Sequence, residues 1–336
     1  MDYWLFLEWF LKAIFLVLFL TIGFAYLTWF ERRVLARFQV RIGPNRAGWQ
    51  GLLQPIADAV KLIFKEELTP TAASKAIFVI APLITVLPAL IITAVIPWGE
   101  KVTLFGRTIS MGLASDVNIG VLYIIAVTSI SVYGITLAGW ASNNKYALLG
   151  GLRSTAQMIS YELALGLAMI GPVMVAGSLQ ITAIVNAQQP VWFIVLQPLA
   201  FGIYFVASIA EINRAPFDMP EAEQELTAGY HTEYSGMKFA VFFMAEYIKM
   251  ICIAMIGTSL FLGGFHLPFI ATPGLWGPVV FFGKVIVWLF VLVWIRATLP
   301  RIRYDRLMAL GWKVLFPLAV FNVLITSVVL VFLEGS

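Results

Sequence analysis

Long apolar runs recur along the 336-residue chain and are separated by short polar segments. A helix needs about 20 consecutive apolar residues to cross a hydrocarbon layer about 30 Å thick. Runs of this length predict an all-α integral membrane protein, with one polytopic membrane domain over residues 1–336 and eight transmembrane helices. The predicted spans are residues 13–30, 76–97, 118–140, 155–176, 191–210, 238–262, 279–298 and 312–332.

Two loop segments have a different periodicity. Residues 55–67 have one apolar helical face and one that carries Lys61 and Lys65, which predicts an amphipathic helix lying along the membrane surface. The apolar positions of this face are Ile56, Val60, Ile63 and Phe64. Residues 102–110 alternate apolar and polar positions around Gly106, which predicts a small hairpin.

The distribution of positive charge predicts the orientation. Basic residues concentrate in the loops that follow the first and seventh spans, and such loops are cytoplasmic in membrane proteins. With eight spans, both termini are then expected on the periplasmic side, and residues 31–75 and 211–236 form ordered cytoplasmic loops. The basic residues of the two loops are Arg32, Arg33, Arg37, Arg41, Arg46, Lys61, Lys65 and Lys75, and Arg301, Arg303 and Arg306.

Composition narrows the possible chemistry. Hydrophobic residues make up 61% of the chain and charged residues 12%, which is typical of a protein with lipid as its solvent. The net charge of +4 does not indicate nucleic acid, since the basic residues lie in short loops. One cysteine, Cys252, and two histidines, His231 and His266, argue against a thiolate cage, a metal centre or a haem site. Electrons that react here are therefore expected to arrive on a bound, diffusible carrier.

Two carboxylates lie inside predicted spans: Glu162 in the fourth and Glu246 in the sixth. A lone charge in hydrocarbon costs about 2.5–3.5 kcal/mol on insertion scales, so both side chains are expected to face the bundle interior. Buried carboxylates of this kind commonly form proton relays. A structural ion pair is the alternative for Glu246, because Lys249 follows it by three residues on the same helical face.

The segment from residue 211 to residue 233 is strongly acidic and contains one arginine, Arg214. An acidic run is often a solvated surface, but Pro216 and Phe217 within this one favour a packed loop. Carboxylates held close together share protons, so such a loop can change its protonation when a nearby charge appears. Its acidic residues are Glu211, Asp218, Glu221, Glu223, Glu225 and Glu233.

Four stretches resemble the respiratory complex I membrane component that is called subunit 1 or the H subunit. The resemblance covers nearly the whole chain and is densest in the loops. The stretches are ERRVLARFQVRIGPNRAGWQGLLQPIADAVKLIFKEELTP from Glu31, GWASNNKYALLGGLRSTAQMISYELALG from Gly139, AEINRAPFDMPEAEQELTAGYHTEYSGMKF from Ala210 and RATLPRIRYDRLMALGWKVLFP from Arg296. Together they are far more diagnostic than a short motif.

The resemblance implies a role in proton-pumping NADH-quinone oxidoreductase in the bacterial inner membrane. The chain is then one subunit of a hetero-oligomeric translocase that reduces ubiquinone or menaquinone, with FMN and iron-sulfur clusters in partner subunits of the peripheral arm and small membrane-arm subunits beside it. The implied proton path is Glu162, Glu211, Glu246 and Lys249, and the acidic loop near the quinone chamber is Asp218, Glu221, Glu223, Glu225 and Glu233. The implied chamber mouth is Glu31, Arg32, Arg37, Arg41, Asp58, Arg214 and Phe217.

Several alternatives stay open at this stage. Related ferredoxin-fed or hydrogenase-type membrane complexes use similar subunits. A stand-alone ion transporter is less consistent with the sequence, because no inverted repeat or pair of broken spans is visible. An inert anchor for soluble partners explains the basic loops but leaves Glu162 without a purpose. Ordinary positive-inside topology explains the arginines of the first loop equally well.

Overall fold

A computed structural model describes residues 3–104, 107–218, 228–268 and 276–334. The fold is helical, as the apolar pattern predicts, with one small two-stranded sheet. The α-helices are α1 (Tyr3–Phe38), α2 (Gln54–Ile63), α3 (Lys75–Ile92), α4 (Gly120–Ala141), α5 (Lys145–Ala176), α6 (Ile181–Ala187), α7 (Phe193–Leu196), α8 (Pro198–Glu211), α9 (Gly236–Phe261), α10 (Gly277–Thr298), α11 (Tyr304–Leu310) and α12 (Phe316–Glu334).

Seven segments of the described chain are long and apolar enough to cross a membrane. They are α1, α3, α4, α5, α9, α10 and the continuous segment from α11 to α12, which contains a π-helical turn at Gly311–Leu315. The predicted span at residues 191–210 is instead divided into α7 and the 14-residue α8. Pro198 explains the break, since its ring fixes the first turn of α8 and it has no backbone N–H to continue α7.

The two predicted loop elements are present. Val102–Leu104 (β1) pairs antiparallel with Arg107–Ile109 (β2), and Val102 lies opposite Ile109. The amphipathic helix is α2, but it ends at Ile63 rather than at residue 67. The chain leaves the helix there because it docks on the start of α9, where Ser235 bonds both Leu68 N and Glu66 O at 3.2 Å.

The centre of the bundle is α9, which packs against α1, α3 and α10. Small residues permit close helix packing elsewhere, as is usual in membranes where apolar contact alone gives little driving force. Gly134 of α4 lies directly against the α3 backbone around Ala81 and Thr85.

One end of the molecule gathers the C-terminal ends of several helices. Glu31 near the end of α1 contacts both Arg214, just after α8, and Arg296, near the end of α10. The connection after α10 joins the same end, because Ile302 N donates to Pro216 O at 3.0 Å. The charged residues of this end form the candidate site.

Candidate functional site

A buried carboxylate binds two arginines at the centre of the site. Glu31 Oε1 lies 3.5 Å from Arg214 Nη1 and also pairs with Arg296 Nη1. The side chains of Glu31 and Arg214 are only 3% and 6% exposed. Burial makes this contact obligatory, because a charge removed from water requires a partner of opposite sign.

Arg214 extends this cluster to α9. Its Nη2 lies 3.7 Å from Glu246 Oε2, and its guanidinium lies 4.3 Å from the centroid of the Tyr247 ring. Tyr230 Oη donates to the other Glu246 oxygen at 3.4 Å. Arg214 therefore connects Glu31 to Glu246, two carboxylates from different helices.

The ion pair that the sequence suggested for Glu246 is not formed. Within the described part of the chain, the Lys249 ammonium does not approach a carboxylate oxygen to 4.0 Å. Lys249 is buried and lies instead among Glu211, Glu246 and Glu162, all close enough to interact with its charge. One buried cation is thus shared by three acids from three helices.

A small cavity lies beside the two arginines. Its volume is about 10 Å³, and its lining includes Glu31, Arg214, Met250 and Arg296. A cavity of roughly 10–15 Å³ with polar walls is sufficient for one water molecule. The Glu31 Oε2 atom is buried and has no hydrogen-bond partner among the described residues, so such a water has an acceptor.

Glu162 lies near the middle of α5 and contacts α4. Its Oε1 contacts the hydroxyls of Ser129 and Thr128, the second at 3.4 Å. Both hydroxyls also reach the Ile125 carbonyl, at 3.0 Å for Ser129 and 2.8 Å for Thr128. Each hydroxyl has one hydrogen. If Glu162 is protonated, a hydroxyl can donate to Ile125 O and accept a hydrogen bond from the carboxyl group. If Glu162 is ionised, the hydroxyl can donate to the carboxylate instead. The contacts suit both protonation states.

The segment after α8 is a packed turn. Gln157 of α5 donates to Ala210 O at 2.7 Å and to Phe217 O at 2.8 Å, which holds both ends of the segment against α5. Phe217 is buried against the Tyr161 ring, with ring centroids 5.9 Å apart. Asp218 follows and is partly buried. The turn places Arg214 and Glu211 on the interior of the bundle.

The remaining acidic residues have different positions. Glu233 accepts from Asn144 Nδ2 at 2.6 Å, at the junction of α4 and α5. Glu221, Glu223 and Glu225 lie outside the described residues. The structure therefore places Asp218 and Glu233 but leaves the predicted acidic cluster untested.

The predicted chamber mouth divides into a buried and an exposed group. Glu31, Arg214 and Phe217 are buried, whereas Arg32, Arg37 and Arg41 are exposed. Arg32 pairs with Asp58 of α2 at 2.7 Å, and Arg41 donates to Gln39 at 2.7 Å. The Arg32–Asp58 pair joins the end of α1 to the surface helix.

The sequence reasoning missed Arg296, which is the second partner of Glu31. Arg296 lies inside the apolar run at residues 279–298, and an ionisable residue inside a span is itself a signal of a buried partner. The same signal was present at Lys284, also inside the run at residues 279–298. Sequence spacing gives no indication that Arg296 pairs with a residue 265 positions away.

Comparisons with known proteins agree on one family. A family model described as NADH dehydrogenase matches residues 11–327. The chain is 52% identical to the second H subunit of NADH-quinone oxidoreductase from Geobacter metallireducens, over 95% of this chain and 94% of that protein. It is also 52% identical to the H subunit of the same enzyme from Thermomicrobium roseum, over 91% of each chain. The chain therefore belongs to the NADH dehydrogenase family, among the H subunits of the bacterial NADH-quinone oxidoreductase complex.

Proposed function

We propose that the chain borders the quinone chamber of this complex and converts quinone reduction into a change of protonation inside the membrane. The observation that carries the proposal is the series of buried and half-buried charges from Glu31 through Arg214 to Glu246, which continues around Lys249 to Glu211 and Glu162. Buried ionisable residues are costly in a membrane and are usually functional.

The Glu31, Arg214 and Arg296 cluster is the proposed sensor of the quinone. Reduction to the quinol takes two electrons and two protons, and the electrons arrive before the headgroup is fully protonated. Negative charge on the bound headgroup competes with Glu31 and Glu246 for the arginines. The carboxylate that loses its arginine then gains affinity for a proton, because an opposite charge near it favoured ionisation.

Lys249 and its three acids are the proposed continuation of the path. A proton gained by Glu246 or Glu211 changes the net charge around Lys249, and the remaining acids adjust their protonation together as coupled sites do. Glu162 is the proposed outlet, since its serine and threonine contacts accommodate either protonation state. Downstream subunits respond to this charge through electrostatics.

The proposed setting is the bacterial inner membrane. Eight crossings, with α7 and α8 together forming the fifth, place both termini outside and the basic loops inside.

Peripheral-arm partners with FMN and iron-sulfur clusters supply electrons, and ubiquinone or menaquinone is the substrate. In this proposal the chain binds no metal. The residues that bind the quinone headgroup come largely from a partner protein of the peripheral arm. The loops at residues 31–75 and 211–236 dock that partner.

Glu162→Gln in the assembled enzyme tests the proposal. The amide keeps the shape and the serine contact but cannot carry the proton, so we expect proton translocation in sealed vesicles to fall about tenfold or more, as for loss of a general acid–base group. Quinone reduction is measured separately in uncoupled vesicles. Unchanged values for both would remove Glu162 from the path.

A matched control is Glu8→Gln, which makes the same chemical change at a surface residue paired with Lys12. We expect its translocation and its quinone reduction to equal those of the unmodified enzyme. Equal losses in both variants would indicate an effect of the substitution on assembly rather than on the path.

A further inference from the structure

A pocket of about 430 Å³ lies between α8 and α10, away from the proposed proton path. Phe201 and Phe205 of α8 each contact Trp288 of α10 edge to face, with ring centroids 5.6 Å apart. This aromatic cluster and Val291 line the pocket. Val287 at its edge is 63% exposed, on a helix apolar enough to face hydrocarbon. The pocket is therefore accessible to a molecule that arrives through the lipid.

Two hydrogen-bond donors of this pocket lack an acceptor. Trp288 is only 5% exposed, yet its indole nitrogen has no hydrogen-bond partner among the described residues. The indole nitrogen of Trp192, which also lines the pocket, is likewise buried without one in the same part of the chain. Buried tryptophan N–H groups usually find an acceptor. A ligand with oxygen acceptors would supply it.

A fixed positive charge completes the pocket. The Lys284 ammonium donates to the carbonyls of Leu262, Gly264 and His266 at 2.6, 2.9 and 2.6 Å, and it lies 4.6 Å from the Trp192 ring centroid. These bonds hold the ammonium at the C-terminal end of α9 without neutralising it. None of the described residues that line the pocket is acidic, so an anionic ligand is favoured.

We propose that this pocket binds an anionic phospholipid. One acyl chain lies between Phe205 and Val291, the ester oxygens accept from the tryptophan N–H groups, and the phosphate lies on the Lys284 side. The volume of about 430 Å³ favours a lipid chain over a transmembrane helix of a neighbouring protein, because a helix with its side chains is about 10–12 Å wide. A single methylene chain is much narrower and can lie in the pocket along the outer side of the aromatic cluster, beside Val287 and Val291.

Photo-crosslinking in the purified, assembled complex tests the assignment. The probes are phosphatidylglycerol and phosphatidylethanolamine, each with a diazirine in one acyl chain, and peptide mass spectrometry locates the label. We expect the phosphatidylglycerol probe to label α8 and α10 around Phe205 and Val291 in preference to the exposed Ile286 face. Equal labelling by the two probes, label spread evenly over α10, or an unlabelled pocket would each overturn the proposal.

Three variants separate a specific site from general lipid contact. Trp288→Phe keeps the ring and removes the donor, so labelling should fall about twofold to tenfold, as expected for one lost hydrogen bond. Val291→Trp fills the pocket and should abolish labelling, whereas Ile286→Trp adds the same bulk outside it and should not. Undiminished labelling in Val291→Trp would contradict the proposal even if Trp288→Phe alters folding.

Discussion

Arg32 and Arg214 are both basic residues near the end of a helix, and although one lies in a basic stretch and the other in an acidic one, the charge pattern alone does not separate their roles. Burial does so: Arg32 makes a partly exposed pair with Asp58, while Arg214 is buried between Glu31 and Glu246. Exposed pairs contribute little to stability, but breaking a buried pair leaves an uncompensated charge. Among single residues, the buried charges are therefore the ones whose substitution should matter.

Glu31→Gln is expected to destabilise the chain by about 3–5 kcal/mol, because Arg214 and Arg296 lose their shared counter-charge in a buried position. Measurements of the apparent melting temperature and of the amount of chain in assembled complex will report the loss. Asp58→Asn is the matched control and should cost about 0–1 kcal/mol, as for a surface pair. Similar losses in both variants would contradict the buried role of Glu31.

At the opposite end of the molecule, His266 should make the stability of the surrounding fold depend on pH. Burial lowers the pKa of its imidazole, the Glu100 carboxylate at 3.8 Å opposes this, and Lys284 adds to the lowering. In the unfolded chain a histidine has a pKa of about 6.5, so below that pH the unfolded state binds the proton more readily. The fold around His266 should lose stability as pH falls below about 6.5, until the lowered pKa is reached.

Hydrogen exchange at residues 263–268, corrected for the intrinsic pH effect, measures this dependence between pH 7.5 and pH 5 (roughly the range in which histidine titrates). We expect faster local opening at the acidic end. His266→Gln can retain a bond to Asn186, the 3.1 Å partner of His266, but cannot titrate. Its opening should not change with pH, and an unchanged pH dependence in this variant would assign the effect to another group.

Among the helices, apolar run length predicts where the long ones lie, but it predicts neither their interruptions nor the short α6, which lies between two predicted spans. The sixth and seventh predicted spans match α9 and α10 to within two residues at each end. The apolar run at 191–210 predicts one helix, but Pro198 lacks the N–H that would continue it, so the run forms two helices. Contacts between helices, such as Glu162 with Ser129, depend on rotation and packing that periodicity alone does not fix.

Gly134→Ala tests one of the close helix contacts, that between α3 and α4. A methyl group there would meet Thr85 N at 2.8 Å and Ala81 O at 2.9 Å, both backbone atoms that cannot rotate away. We expect α3 and α4 to be forced apart, at a cost of about 1–3 kcal/mol, as for overpacking of a core. A lower melting temperature of the assembled complex measures it.

The control is Gly202→Ala in α8, where an added methyl group has no neighbour within 4 Å among the described residues. Alanine is the better helix former, so this variant should be neutral or slightly more stable. A destabilised Gly202→Ala together with an unaffected Gly134→Ala would contradict the close approach of α3 and α4 at Gly134.

For the molecule as a whole, the number of crossings decides the orientation. Seven crossings would place Arg301, Arg303 and Arg306 on the opposite side from the basic loop after α1, against the usual distribution of positive charge. Eight crossings place both loops on one side. The meeting of Glu31, Arg214 and Arg296 supports eight, because α1, α8 and α10 then all end at the same face.

Cysteine labelling distinguishes seven crossings from eight. Cys252 is buried, so background reaction with a membrane-impermeant maleimide should be low. The test sites are Val40, 95% exposed, and Arg303, with a side chain 80% exposed. With eight crossings, Val40→Cys and Arg303→Cys both react in inverted vesicles and neither reacts in spheroplasts. Lys101→Cys, next to the hairpin, should show the reverse.

Opposite behaviour of Val40→Cys and Arg303→Cys would show that α8 does not cross, and labelling after detergent addition controls for sites covered by partner subunits. This result would also bear on the proton path. If α8 turned back, Glu211 at its end would lie on the side opposite Glu31, and the series of charges from Glu31 to Glu162 could not be continuous. The membrane topology and the proposed proton path therefore depend on the same contacts, because the path requires α1, α8 and α10 to end at the same face.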